Sequence, residues 1–543
     1  MSDDATMAVD GTVTSEDRVS GKRRWLITAG VMTGMFIAAL EATVVGTAMP
    51  TVIASLGGLN HYSWVFSAYL VTSTVTVPVW GKLSDLYGRR LLYQVGIGVF
   101  LLGTLLSGLS GTMTQLIVFR AIQGLGAGAL VPLGMTIIGD TFTLEERAKM
   151  QAYFSGVWGL SSIIGPIVGG FITDQISWRW VFFVNLPIGV VAALIIGFAL
   201  REPKTHTRPK IDYAGAILLM VAISLLMLAM VEGGSGGLIN SENILIFLAS
   251  AVLLVIFVFV EKRAADPIIP FDLFKNKTIA IAIPAGFLGG VAMFGAISFI
   301  PLFAQGSLGF TATAAGSLLT PLMLSWVSMS IIGGRLMLKI GYRLLTIVGY
   351  SALTFGFVLL AMFDRDTNRV FLYLDLVIIG IGLGSSMLTL LIAVQQAVEK
   401  SKLGVATSLN QFSRSIGGAV GVAVMGAVLT SSLAGQLNRA ADEGQITKTQ
   451  AQEFASNPNA LIEPSAKAAV PAETLAVLQS SLAKAIHPVF WAGAVMAGLG
   501  LLVVLFLPRE GRDEEPIDGE RLIMAEQTTI NARNQPDVHT TYS

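Results

Sequence analysis

The sequence predicts an all-α integral membrane protein of fourteen spans, two pseudo-symmetric six-helix bundles with two additional central transmembrane helices. Three observations predict it. Fourteen apolar stretches run from Trp25 to Pro508, each near the roughly 20 residues that a helix needs to cross the hydrocarbon core. Lys and Arg collect in alternate gaps between those stretches. Three short strings recur about 250 positions further along the chain. Composition agrees: 53% of residues are hydrophobic, 13% are charged and the mean hydropathy is +0.70, whereas a soluble domain carries roughly 25% charged residues.

In chain order, residues 1–24 form an N-tail, polar and acidic before Lys22-Arg23-Arg24. It is not a cleavable signal, because the apolar run after it is too long for a signal core. The spans fall near 25–49, 62–80, 92–110, 114–138, 150–172 and 180–200, the N-terminal bundle (25–200). A linker over 201–278 carries the two extra spans, 213–231 and 243–260. The C-terminal bundle (279–508) holds 279–303, 313–333, 344–363, 370–396, 404–432 and 488–508. Residues 433–487 read as an outer loop rich in Ala, Gln and Ser, and 509–543 as a polar tail expected to be disordered.

Orientation follows from charge. The N-tail, the even-numbered gaps and the C-tail hold 26 Lys and Arg, the odd-numbered gaps 7. The positive-inside rule then puts both termini in the cytoplasm, which an even span count requires. Lys+Arg and Asp+Glu both total 35, so net charge points to no partner, and nucleic acid is not expected. Cysteine is absent, which excludes disulfides.

The repeat supports duplication. GKLSDLYGRRLLYQVG at 81–96 matches GRLMLKIGYRLLTIVG at 334–349; GLGAG at 124–128 matches GIGLG at 380–384; IGPIVGG at 164–170 matches IGGAVGV at 416–422. The offsets are 253, 256 and 252. Collinear matches of this kind mark duplicated helical units in transporters.

Gly81-Lys82-Leu83-Ser84-Asp85-Leu86-Tyr87-Gly88-Arg89-Arg90 fills the gap between spans 2 and 3. Its glycines allow a tight turn, Asp85 can face a helix N-terminus, and Arg89 and Arg90 can pair across the inner face. A positive-inside anchor would explain the arginines but not the order Gly-x-Leu-x-Asp-x-x-Gly-Arg-Arg. In this order the chain resembles the major facilitator superfamily over residues 20–510. The resemblance implies that Gly81, Asp85, Gly88, Arg89 and Arg90 act as a conformational latch between the halves. The second copy has Leu338 in place of Asp85.

In span 5, Gly165, Pro166, Gly169 and Gly170 would allow close helix approach. A packing seam explains them alone. Their order also resembles the antiporter signature of the superfamily's drug exporters. Leu40-Glu41-Ala42-Thr43-Val44-Val45 and Trp178 to Pro187 are similar to strings of its fourteen-span drug:proton antiporter branch. That branch commonly has Asp in span 1 where this chain has Glu41.

Ionisable residues inside spans are few: Glu41, Arg120, Asp375 and Arg414. Charge in hydrocarbon is costly, so each should face a partner or a wet cavity. Glu41 is the leading proton site, open to competition between a proton and a cationic substrate; the alternative is a structural hydrogen bond near the outer mouth. Arg120 resembles the span 4 arginine that the family ties to proton coupling; the alternative is a packing partner. Asp375 is the third coupling candidate, or a residue solvated near the outer interface. Tyr69, Trp158, Met293, Phe294, Asn410, Gln411 and Arg414 are the candidate substrate-cavity residues. The aromatic and Met side chains suit flat lipophilic cations. Most aromatic side chains in spans face lipid or other helices, and interhelical bonding explains Asn410, Gln411 and Arg414 equally.

No nucleotide loop is present, so the proton gradient rather than ATP is the expected energy source. The histidines His61, His206, His487 and His539 are scattered, which argues against a metal cluster. No cofactor and no enzymatic activity is expected. The leading expectation is a proton-coupled exporter of lipophilic, often cationic, drugs or dyes in the cytoplasmic membrane, monomeric, with a periplasmic adaptor left open. A dedicated exporter of a lipid, siderophore or metabolite, and a transport-inactive membrane sensor or scaffold, are the alternatives.

Overall fold

The computed structural model describes residues 21–56, 62–201, 212–236, 241–310, 318–364, 367–456 and 470–509. Among these residues the regular structure is helical, without strands. The order is α1 (Gly21–Leu56), α2 (Tyr62–Val75), α3 (Val77–Tyr87), α4 (Arg89–Gly108), α5 (Met113–Thr141), α6 (Leu144–Gln175), α7 (Trp180–Phe183), α8 (Asn185–Ala199), α9 (Tyr213–Gly236), α10 (Ser241–Glu261), α11 (Lys277–Gly306), α12 (Leu319–Met362), α13 (Arg369–Gln396), α14 (Leu403–Asp442), α15 (Lys448–Ser456) and α16 (Ala472–Val504). Among the described residues, eleven helices are long and apolar enough to cross a membrane.

Local chemistry sets the breaks. The Thr112 side chain accepts from the Gln115 amide at the start of α5, Asn276 from Thr278 at α11, and Asn368 from Val370 at α13. Thr143 and Glu146 close a capping box on α6. Span 2 is interrupted at Thr76, just before Pro78, and so becomes α2 and α3.

Two glycines mark the repeat in three dimensions. Gly88 turns the chain from α3 into α4 at φ 93°, ψ 150°. Gly341, its counterpart in the second copy, bends α12 at φ 81°, ψ 160°. That region is open almost only to glycine. Each copy thus turns at the same motif position.

The expected outer loop is largely helical instead. α14 continues to Asp442, α15 adds a short helix after it, and α16 starts at Ala472. Ala and Gln favour helix without needing lipid, so these helices outrun their apolar segments. Residues 457–469, the N-tail to residue 20 and the tail from 510 lie outside the described residues.

Two buried clusters are built almost wholly from residues 27–200, around Tyr93, Phe100 and Leu130 and around Val44, Met49 and Phe182. A larger one gathers α11 to α16 and also takes Leu219 and Met227 of α9 and Phe257 of α10. α9 packs against α10, α2 and α14. Across the chain, α3 and α5 meet α14, and α6 meets α12.

Candidate functional site

Two of the most deeply buried charges lie in the N-terminal half. Glu41 is 0% exposed and Arg120 1%. They form an ion pair between α1 and α5. Further contacts tie the pair to other elements, directly or through Gln123 of the same helix. Arg120 Nη1 donates to Gln123 Oε1 at 2.6 Å, and its Nε donates to the Val65 carbonyl of α2 at 3.3 Å. The guanidinium stands 4.3 Å from the centre of the Tyr69 ring. Gln123 Nε2 donates to Thr104 Oγ1 of α4 at 2.8 Å. Asn185 Nδ2, at the first residue of α8, donates to Glu41 Oε2 at 2.7 Å. Asn185 Oδ1 is buried with no partner.

Desolvating two ions is costly, and only good geometry with further hydrogen bonds offsets it. This pair has both. The sequence singles out Glu41 and Arg120 separately, and the structure joins them. Glu41 is therefore not a bare carboxylate facing a cavity. Gln123 and Asn185 received no role from the sequence. The usable signal was a polar residue in an apolar run, with Gln123 one turn beyond Arg120.

Two residues from Glu41, Thr43 Oγ1 donates to the Ser161 carbonyl of α6 at 3.1 Å. A β-carbon at Gly165 would collide with Thr43. Gly165 therefore sets how closely α6 approaches the helix that carries Glu41. Gly169 is buried, while Gly170 borders open space. The Pro166 side chain lies outside the described residues.

The C-terminal half is built differently. Arg414 hydrogen-bonds to Gln411 and lies 3.5 Å from the Met387 sulfur. Among the described residues it pairs with no carboxylate. Asn410, 4% exposed, leaves Nδ2 without a partner. Phe294 lies against Gly418, where a β-carbon would strike its ring. Met293 is 8% exposed within the core and offers little surface to a cavity. Trp158, by contrast, is 42% exposed on α6.

Asp375 is 1% exposed, and neither carboxylate oxygen has a partner. This corrects the alternative that it is solvated: Leu372, Leu376 and Ile379 of its own helix are buried around it, and Gly356 of α12 packs beside it.

The loop motif closes one end of the molecule, here termed the basic end. Asp85 accepts from the Gly404 amide at 3.0 Å and the Val405 amide at 2.8 Å, the first turn of α14. Asp85 also pairs with Arg89. Burial pushes the Asp85 carboxyl up from its usual range, against the pull of Arg89 and the two amides. Arg89 Nε donates to Asp140 at 3.0 Å, and Nη2 to the Lys400 carbonyl at 3.4 Å. Gly81 lies against Gly404 and Ser408, with no room for a side chain. Arg90 is exposed. Lys82 pairs with Asp266 of the segment after α10, a contact the sequence did not suggest. Gln395 Nε2 of α13 reaches the Met135 carbonyl of α5 at 3.5 Å, also joining the halves.

The Major Facilitator Superfamily pattern matches residues 31–422. The chain is 39% identical over 511 residues to "Multidrug transporter protein MdtP" of Bacillus subtilis (strain 168), covering 91% of this chain and 94% of that protein. It is 38% identical over 484 residues to "Multidrug resistance protein 3" of the same organism, covering 89% and 94%. In structure it resembles the human organic anion transporter MFSD10 with a TM-score of 0.59 at 14% identity, covering 89% of this chain and 99% of that one. That likeness concerns the fold. The match over most of the chain, on a multi-pass helical membrane protein, settles the family: the chain belongs to the Major Facilitator Superfamily, whose members are transporters and not enzymes.

Proposed function

We propose that this protein exports lipophilic, often cationic, compounds across the cytoplasmic membrane in exchange for protons, by alternating access. The observation that carries the reading is the buried Glu41–Arg120 pair, held by α1, α2, α4, α5 and α8. The names of the two Bacillus relatives, a multidrug transporter and a multidrug resistance protein, support the substrate class.

The pair is neutral as a whole. A proton on Glu41 would leave Arg120 as an uncompensated cation in a dry site. A cationic substrate beside Glu41 would add the same charge. Low dielectric penalises holding both at once. Proton and substrate therefore exclude one another, which is the requirement for exchange. Tyr69, Trp158, Phe294, Asn410, Gln411 and Arg414 are the proposed cavity contacts, with Asp375 a secondary proton site.

Fourteen spans with both termini cytoplasmic remain our reading of the topology. Beyond the eleven helices, α2 is apolar but shorter, α6 has 32 residues, and α12 contains two arms meeting at Gly341. The separate buried clusters favour two six-helix bundles. Alternating access would then rock one bundle against the other, with contacts at the basic end opening and closing.

Dye accumulation in everted vesicles, with and without an imposed pH gradient, tests the function. Uptake that tracks the gradient and stops when it is collapsed is expected. Uptake indifferent to the gradient would remove proton coupling from the reading.

A further inference from the structure

The start of α9 and the end of α10 bring together an acidic pair that the export reading does not use. Asp212 caps α9: its Oδ1 accepts from the Gly215 amide at 2.8 Å, and its carbonyl accepts from Ala216 at 3.0 Å. Glu261 is the last residue of α10 and is 2% exposed. Its Oε1 accepts from the Ile269 amide at 2.5 Å. The other oxygen of each carboxyl, Asp212 Oδ2 and Glu261 Oε2, is buried without a partner. Both lie against Gly215, so close that a β-carbon there would collide with each. Two acceptors facing one another across a glycine lack only a donor. One proton between them supplies it, because a protonated carboxyl both donates and accepts.

Among the described residues, no ion pair to either carboxyl is formed. The charged groups of the 262–270 segment are Lys262 and Arg263, both exposed, and Asp266, which Lys82 of α3 engages; Asp272 and Lys275 beyond it pair with each other. That segment connects the acidic pair to the latch. Glu261 holds it at Ile269, Ile268 and Ile269 bury in the same core cluster as Val77 of α3, and Asp266 grips Lys82. α3 also carries Asp85, which holds the first turn of α14.

We propose that Asp212 and Glu261 share one proton at the basic end and form a clasp through which pH on that side sets how firmly the 262–270 segment holds α3. The sign follows from charge. With one proton the pair carries a single negative charge and a closed hydrogen bond. As pH rises and that proton leaves, two buried like charges face one another and repel, as in other paired carboxylates. The ends of α9 and α10 then part, and the hold on Lys82 weakens. The clasp does not depend on what the protein exports.

The test uses the full chain in lipid nanodiscs. The protein has no cysteine, so spin labels can be placed cleanly at Ala214 and Ala265, both exposed. Distances are recorded from about pH 5 to about pH 9, a range that brackets the titration of a shared carboxyl proton. The wild type should shift from a short to a longer distance as pH rises. Glu261→Gln and Asp212→Asn each place a permanent donor in the gap, so both should stay short at every pH. Should Glu261→Gln fail to fold, Asp212→Asn decides alone. A pH-independent distance in the wild type would overturn the proposal, as would a shift in the variants equal to that of the wild type.

Discussion

Glu41 and Arg120 stand 79 positions apart in sequence and close a buried ion pair between α1 and α5. Neither is explained alone. Glu41 without Arg120 would be an anion in a dry site, and Arg120 without Glu41 a cation resting on Tyr69. Because the charges cancel, the centre is stable at rest and sensitive to any added charge.

The first prediction uses that cancellation. Glu41→Gln should abolish proton-driven efflux, since an amide does not titrate. It should also destabilise the protein, because removing one partner of a buried pair typically costs roughly 3–5 kcal/mol. Arg120→Gln should cost a similar amount. The double substitution should recover much of the stability and none of the transport. Glu41→Asp should keep partial activity, as a carboxylate with shorter reach. Thermal unfolding and dye efflux on the four variants check this. Full efflux by Glu41→Gln at every pH would move coupling to another carboxyl, with Asp375 next.

The pairing itself was not legible in the sequence, although each member was. A charge inside an apolar run is visible by contrast, whereas contact across 79 positions depends on how helices pack. The same holds for Lys82 and Asp266, 184 apart. Span 12, set at 370–396, corresponds to the helix Arg369–Gln396 because its ends coincide with the ends of its apolar run. The extensions of α14 and α16 escaped because hydropathy registers lipid contact and not helicity. Gly88 and Gly341 were legible as a repeat, yet only the backbone shows why both are glycine.

The second prediction concerns those glycines. Gly88→Ala and Gly341→Ala each force a β-carbon into a conformation that costs roughly 1–3 kcal/mol for other residues. Each should lower the unfolding temperature in detergent, and the two effects should be close to additive because the sites lie in different helix pairs. Two variants as stable as the wild type would mean that the turns relax freely.

Topology gives the third. Reporter fusions after Gly236 and within 440–480 should read outside, and one after Lys204 inside. These positions follow from the charge asymmetry of the gaps and the positive-inside rule. A cytoplasmic signal from 440–480 would remove the fourteen-span arrangement.

The last prediction concerns the latch. Asp85 holds the first turn of α14 through two amides and is itself held by Arg89. Asp85→Asn removes the charge and at least one of the two acceptor contacts, since an amide nitrogen cannot accept. It also leaves Arg89 its contacts with Asp140, the Ser84 hydroxyl and the Lys400 carbonyl. The closed arrangement of the basic end should lose stability relative to the open one, by about the 1.5–3 kcal/mol of a charged hydrogen bond. Ligands would restore the balance only to the extent that they bind the two states differently. Turnover should therefore fall while substrate affinity changes little, since Asp85 touches neither Glu41 nor Arg414. Arg89→Gln should act in the same direction, because burial then raises the Asp85 carboxyl with less opposition. Spin-label distances between α3 and α14 should show a larger open population in both variants. Unchanged populations together with unchanged turnover would reduce Asp85 to a turn residue with no part in gating.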